Sequence, residues 1–110
     1  MHPLIADHLD AIRDLCREFG VARLEVFGSV MTDRFNDESD VDFIVHYPEG
    51  YEFGPWLGRH FELQERLAML LPRKVDLVMP SVLRNKWFRR EAEKTRTVLY
   101  DASHVPEVAR

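Results

Sequence analysis

Asp40, Asp42 and Asp76 are the residues whose type and spacing could carry chemistry in this 110-residue chain. The run 40–47 alternates like a strand, and in a strand residues two apart share a face, roughly 6.5 Å apart along the chain. Asp40 and Asp42 therefore project together, while Val41, Phe43 and Val45 project to the opposite, buried face. Aspartate is a poor strand residue, and two side by side repel each other. Asp76 repeats the arrangement between Val75 and Leu77. A carboxylate inside such an apolar strand is costly unless it is paired or bound to a metal. Hard oxygen ligands on rigid strands suit magnesium, which takes a few carboxylates, several waters and phosphate oxygens. Two such ions about 3.5–4 Å apart can clamp the attacking and leaving oxygens of a phosphoryl transfer. Taken singly, each acid has a plainer explanation, Asp40 as an edge or turn residue and Asp76 as a salt-bridge partner. Together they ask for a cation.

Gly28-Ser29 stands where a strand over 21–27 passes into a short helical segment. A glycine lets the backbone approach a ligand closely, and N–H groups that open a helix favour phosphate. The Ser29 hydroxyl adds a donor. Such a pair is common in strand-to-helix turns, and its meaning here comes from its spacing to the acids.

The elements that must position these groups are legible from periodicity. Pro3 suits a first helical turn, and Leu4, Ile5, Leu9, Ile12, Leu15, Cys16 and Phe19 then recur at helical spacing up to Gly20, a natural stop. Cys16 sits on the apolar stripe, a packing position. In the first strand Leu24 and Val26 face one way, Glu25 and Phe27 the other. Residues 30–34 continue a short helix and 36–39 are turn chemistry. A second amphipathic helix begins near Pro55, with Trp56, Leu57, Leu63, Leu67, Leu70 and Leu71 on its buried face, and Pro72 ends it. A third strand covers 74–79, Pro80-Ser81 opens a helical stretch with Trp87 and Phe88, 97–100 is a short last strand, and the tail to Arg110 is loosely attached. Strands separated by helices give a single α/β (α+β) domain, a small mixed sheet flanked by helices over 1–110 with a core of about 4–100.

Composition narrows the function. The hydrophobic fraction of 45% supports a core, no apolar run approaches the roughly 20 residues of a membrane span, and the start lacks a signal-peptide pattern. With Cys16 the only cysteine, no internal disulfide is open, which fits a cytoplasmic protein. The net charge of −4 argues against direct nucleic-acid binding. Within 84–96, however, Arg84, Lys86, Arg89, Arg90, Lys94 and Arg96 stand against Glu91 and Glu93, a local +4 that leaves −8 elsewhere. That run is either a solvated helix face or a surface for an acidic partner or phosphates. Tyr51, Phe53, Trp56, Trp87 and Phe88 likewise read as core or as interface aromatics. Trp87 and Phe88 cannot both be buried among such charges. His2, His8, His46, His60 and His104 show no zinc-ligand spacing. His46 shares the face of Asp40 and Asp42, close enough for a role near a nucleotide.

Gly28-Ser29, ten residues, then Asp40-Val41-Asp42 resembles the Gly-Ser-x10-Asp-x-Asp signature of the DNA polymerase β-like nucleotidyltransferase superfamily. Asp76 falls where the third family carboxylate is expected. In length and content the chain looks like a minimal nucleotidyltransferase, and the resemblance covers roughly 4–100. After the Gly-Ser pair many relatives carry a small residue, an arginine and a glycine. Here the stretch is Val30-Met31-Thr32-Asp33-Arg34, with its arginine displaced.

The resemblance implies the nucleotidyltransferase fold and magnesium-dependent transfer of a nucleoside monophosphate to a hydroxyl, with release of pyrophosphate. Ser29 and the backbone near Gly28 would hold the outer phosphates. Asp40 and Asp42 would bridge two metal ions, and Asp76 would help hold the second and accept the proton of the attacking hydroxyl. Minimal nucleotidyltransferases are similar to the antitoxin halves of two-gene, type VII-like modules. There the enzyme moves AMP from ATP to a tyrosine of an all-helical HEPN toxin. Two alternatives stay open, a nucleotide-binding antitoxin that neutralises its partner by occlusion and a nucleotidyltransferase acting on a small-molecule hydroxyl.

Overall fold

A left-handed glycine and a proline bracket the first helical region of the computed structural model, which describes residues 2–31 and 40–104. Pro3 opens α1 (Pro3–Asp7), where the His2 ring accepts the Leu4 N–H. The expected single helix is broken at His8, whose backbone leaves helical geometry and whose ring nitrogen donates to the Leu4 carbonyl at 2.8 Å. The apolar stripe resumes in α2 (Leu9–Phe19). Gly20, at φ +69°, closes it as the Val21 N–H reaches back to the Cys16 carbonyl.

The chain then alternates as expected: β1 (Arg23–Phe27), β2 (Val41–His46), α3 (Gly58–Leu70), β3 (Val75–Val78), α4 (Lys86–Glu93) and β4 (Thr97–Asp101). The sheet order is β3-β2-β1-β4. β1 runs antiparallel to both β2 and β4, and α3 is the crossover that makes β2 and β3 parallel. Of the expected helix after Gly28, a single 3-10 turn, Ser29–Met31, is described. The remainder of that segment, the turn 36–39 and the tail 105–110 lie outside the described residues.

Period-two alternation gives the sheet two different faces. Leu24, Val26, Val41, Phe43, Val45, Val75 and Leu77 join Ile12, Cys16 and Phe19 of α2 and Leu63 and Leu67 of α3 in the main core. Burial pushes the Cys16 thiol up to about 12, so the sulfur is a packing group. The other face carries a smaller cluster, Phe27 and Ile44 under Ala92 and Phe88 of α4.

Trp56 and Leu57 correct the sequence expectation. They stand in a 3-10 turn, Pro55–Leu57, with left-handed backbone (φ +58° and +55°), and α3 starts only at Gly58. Outside the helical register, Trp56 is 93% exposed, while Leu63, Leu67 and Leu71 are fully buried as expected. Tyr51 and Phe53 pack on Tyr47 and on each other, with ring centroids 4.5–4.9 Å apart.

Both sheet borders are stoppered by side chains. His60 and Gln64 of α3 bond the Leu77 carbonyl and N–H at the outer side of β3. Arg13 of α2 donates to the Leu99 carbonyl of β4 at 2.9 Å.

One charged group is buried on the α4 face. Glu25 is 2% exposed and accepts two bonds from Arg96, at 2.8 and 2.9 Å, and one from His46 at 2.7 Å. Burial raises its carboxyl pKa, but the Arg96 and His46 hydrogen bonds and the Arg96 charge outweigh that and leave it below the usual glutamate range. Arg96 thus fastens the α4–β4 corner to β1. Replacing it with leucine strands the carboxylate and should cost about 3 kcal/mol in urea unfolding. A Glu25→Leu/Arg96→Leu double variant should recover part of that loss.

Candidate active site

The register of the three inner strands assembles the site. Phe27 of β1 pairs with Asp42 of β2, and Asp42 pairs with Asp76 of β3. The two carboxylates therefore stand on adjacent strands and one face, at the end where β2 and β3 begin and β1 ends. Parallel neighbours in a sheet are about 4.8 Å apart, which holds two like charges at short range. Asp40 precedes β2, and its Oδ2 lies 3.9 Å from Lys74 Nζ. Asp76 is exposed, and Asp42 is half-buried.

Electrostatics single out Asp42. Burial first, then the charges of Asp76 and Asp40, push its pKa from the ordinary 3.8 up to about 6. Among the described residues no lysine, arginine or histidine pairs with Asp42 or Asp76. Nor does any group of three acid, histidine or cysteine side chains among them converge as a finished metal cage. The structure thus brings Asp42 and Asp76 together, with Asp40 near enough to repel Asp42 but inclined to Lys74. Two carboxylates on one face, one half-buried and one exposed, are a donor set of the kind that fits magnesium, whose other positions go to water and phosphate oxygens.

Gly28 borders this pair. Its φ of +87° is left-handed, and a β-carbon placed on it would lie 2.7 Å from Asp42 Oδ2. Only glycine admits the carboxylate so close to the backbone. The Gly28 carbonyl accepts from Met31 N–H at 3.0 Å and closes the 3-10 turn that Ser29 opens. The Gly28 N–H is already taken, donating to Thr95 Oγ1 at 2.8 Å. Arg34 lies outside the described residues.

His46 does share the Asp42 face, but it is bound to Glu25 rather than turned to the acids. Two contacts that the sequence did not announce touch the site's frame, Thr95 with Gly28 and Arg96 with Glu25. The partners lie 67 and 71 residues apart, and no local pattern announces such contacts. On α4, Trp87 is 69% exposed beside Lys86, Arg89 and Arg90, while Phe88 turns inward to meet Phe27 edge-on at 5.5 Å. One aromatic is partly buried and the other exposed, as the charge pattern requires.

A family model described as a nucleotidyltransferase domain matches residues 9–100. Among characterised relatives, the protein adenylyltransferase MntA of Thermococcus cleftensis is 40% identical over 73 residues, 66% of this chain and 70% of the relative. A solved minimal nucleotidyltransferase superposes with a TM-score of 0.69 at 28% identity, covering 88% of this chain and 95% of that one. The same fold occurs in the complex of a tri-AMPylated Shewanella oneidensis HEPN toxin with its MNT antitoxin. There the TM-score is 0.59 at 20% identity, over 94% of this chain and 77% of the matched one.

The raised Asp42 pKa gives a signed prediction. A carboxyl that holds its proton more tightly when folded contributes stability that is complete below the unfolded value of 3.8 and lost as pH rises through about 6. Without divalent metal, the melting temperature of the unmodified chain should fall across that window relative to Asp42→Asn. At pH 7 the asparagine variant should melt a few degrees higher. A divalent ion held by the aspartate would reverse the order, because a ligand of the folded state stabilises it. Thermal scans at stepped pH, with and without metal, check both halves.

Proposed function

The chain belongs to the nucleotidyltransferase domain family, and from that premise we propose that it moves AMP from ATP to a tyrosine hydroxyl of a HEPN-type partner, as an antitoxin. The likeness to a protein adenylyltransferase and to a toxin-bound antitoxin supports this reading. The observation that carries it is the pairing of Asp42 with Asp76 beside Gly28.

Asp42 and Asp76, with Asp40, would hold magnesium, which when bound neutralises phosphate charge and polarises the oxygens around the reacting phosphorus. The Ser29–Met31 turn binds the outer phosphates with its opening N–H groups. The acceptor oxygen bonds to the α-phosphorus, the bond to the β-phosphate's bridging oxygen breaks, and pyrophosphate leaves. Asp76 is the exposed member of the pair, which leaves it open to an incoming hydroxyl. It takes the hydroxyl proton. Asp42, held against Gly28, fixes the distance between the phosphate turn and the acids.

Neutralisation by occlusion is the second reading, supported by the exposed Trp87 on the basic face of α4. Transfer chemistry separates the two. Asp76→Asn should reduce transfer of labelled AMP to the co-purified partner by about 100-fold or more and leave complex formation intact. Equal labelling by the variant would remove Asp76 from the mechanism. If the unmodified chain neutralises its partner without labelling it, occlusion is the function.

The partner surface is tested separately. Exposed aromatic and arginine anchors dominate many interfaces. Trp87→Ala or Arg90→Ala should weaken association about tenfold, roughly 1.4 kcal/mol, in titrations against the purified partner. ATP binding should change little.

A further inference from the structure

We infer that Thr95 is a positioning residue for the nucleotide, acting through Gly28; this rests on the nucleotide site proposed above. Gly28 is gripped from two sides. Asp42 Oδ2 stands 2.7 Å from where a β-carbon on it would lie, and the Thr95 hydroxyl accepts its N–H at 2.8 Å. The hydroxyl is itself carried by a fixed piece of backbone. The Thr95 N–H donates to the Ala92 carbonyl at 3.0 Å, and its carbonyl accepts the Thr97 hydroxyl at 3.0 Å. The next residue, Arg96, donates its N–H to the same Ala92 carbonyl and its guanidinium to buried Glu25.

Thr95 therefore transmits the rigidity of the α4–β4 corner to the turn at Gly28. The Ser29–Met31 turn follows directly, so the peptide that Thr95 fixes sets where the phosphate donors stand relative to Asp42. As an acceptor Thr95 still has its own hydroxyl proton. Among the described residues nothing accepts that proton, which leaves it for a phosphate oxygen. Valine has the same shape and neither capacity. Serine has both.

Calorimetric titration of the full chain with ATP and magnesium tests the role. Thr95→Val should bind ATP about tenfold more weakly, because it leaves a polar N–H unpartnered at the turn. Thr95→Ser should bind within about twofold of the unmodified chain. A residue that only stabilised the corner would shift the melting temperature of Thr95→Val and leave its ATP affinity alone, and that result would overturn the inference. So would a serine variant as weak as the valine one. If Thr95→Val does not fold, Gly28 amide exchange in the unmodified chain decides. Protection supports the bond, and exchange at open-loop rates overturns it. No ATP binding by the unmodified chain at all would instead sink the nucleotide site itself, a separate and distinguishable failure.

Discussion

Repulsion between Asp42 and Asp76 is the constraint around which the rest is arranged. The parallel register of β2 and β3 places the two carboxylates side by side, and the register is set by the opposite face, where Val41, Phe43, Val75 and Leu77 are locked into the core. Sliding a strand by one residue would relieve the charges but would turn its whole apolar set outward. Hydrophobic packing on one face thus enforces an unfavourable electrostatic arrangement on the other. Such stored cost is what a binding site for a cation and phosphates can draw upon.

Two rows along the same face, charge is handled in the opposite way. Glu25 is more deeply buried than Asp42, yet its two oxygens are satisfied by Arg96 and His46. The protein supplies its own cation at Glu25, whereas among the described residues no cationic side chain pairs with Asp42 or Asp76. The two arrangements are mechanically linked, since Arg96 and Thr95 are neighbours in sequence and tie the same corner to β1 at Glu25 and just beyond it at Gly28.

How far this was legible in the sequence depends on range. The alternation in 40–47 located Asp40 and Asp42 and their buried neighbours because strand parity is a local property. Gly20 ended a helix and Gly28 marked a bend for the same reason, a left-handed φ that favours glycine. Trp56 was misplaced because helical spacing carries no information on backbone handedness, and the left-handed steps at Trp56 and Leu57 delay the start of α3. His8 interrupts the first helix through a ring-to-carbonyl bond that apolar periodicity does not encode. The pairing of Asp76 with Asp42 needed the parallel crossover, and Thr95 needed a contact spanning most of the chain, so neither side-chain environment was available from spacing alone.

The side chains that stopper the two outer strands have a consequence for assembly. A small four-stranded sheet with bare margins would be a template for further strands, from its own kind or from an extended peptide. Here His60 and Gln64 occupy the polar groups of Leu77, and Arg13 occupies the Leu99 carbonyl. Where these groups are filled, the sheet offers an incoming strand no complete ladder on either margin. Association with other molecules is thereby directed to helix faces and loops, where contact is made through side chains and can be specific, and polymerisation by sheet growth is discouraged at both ends.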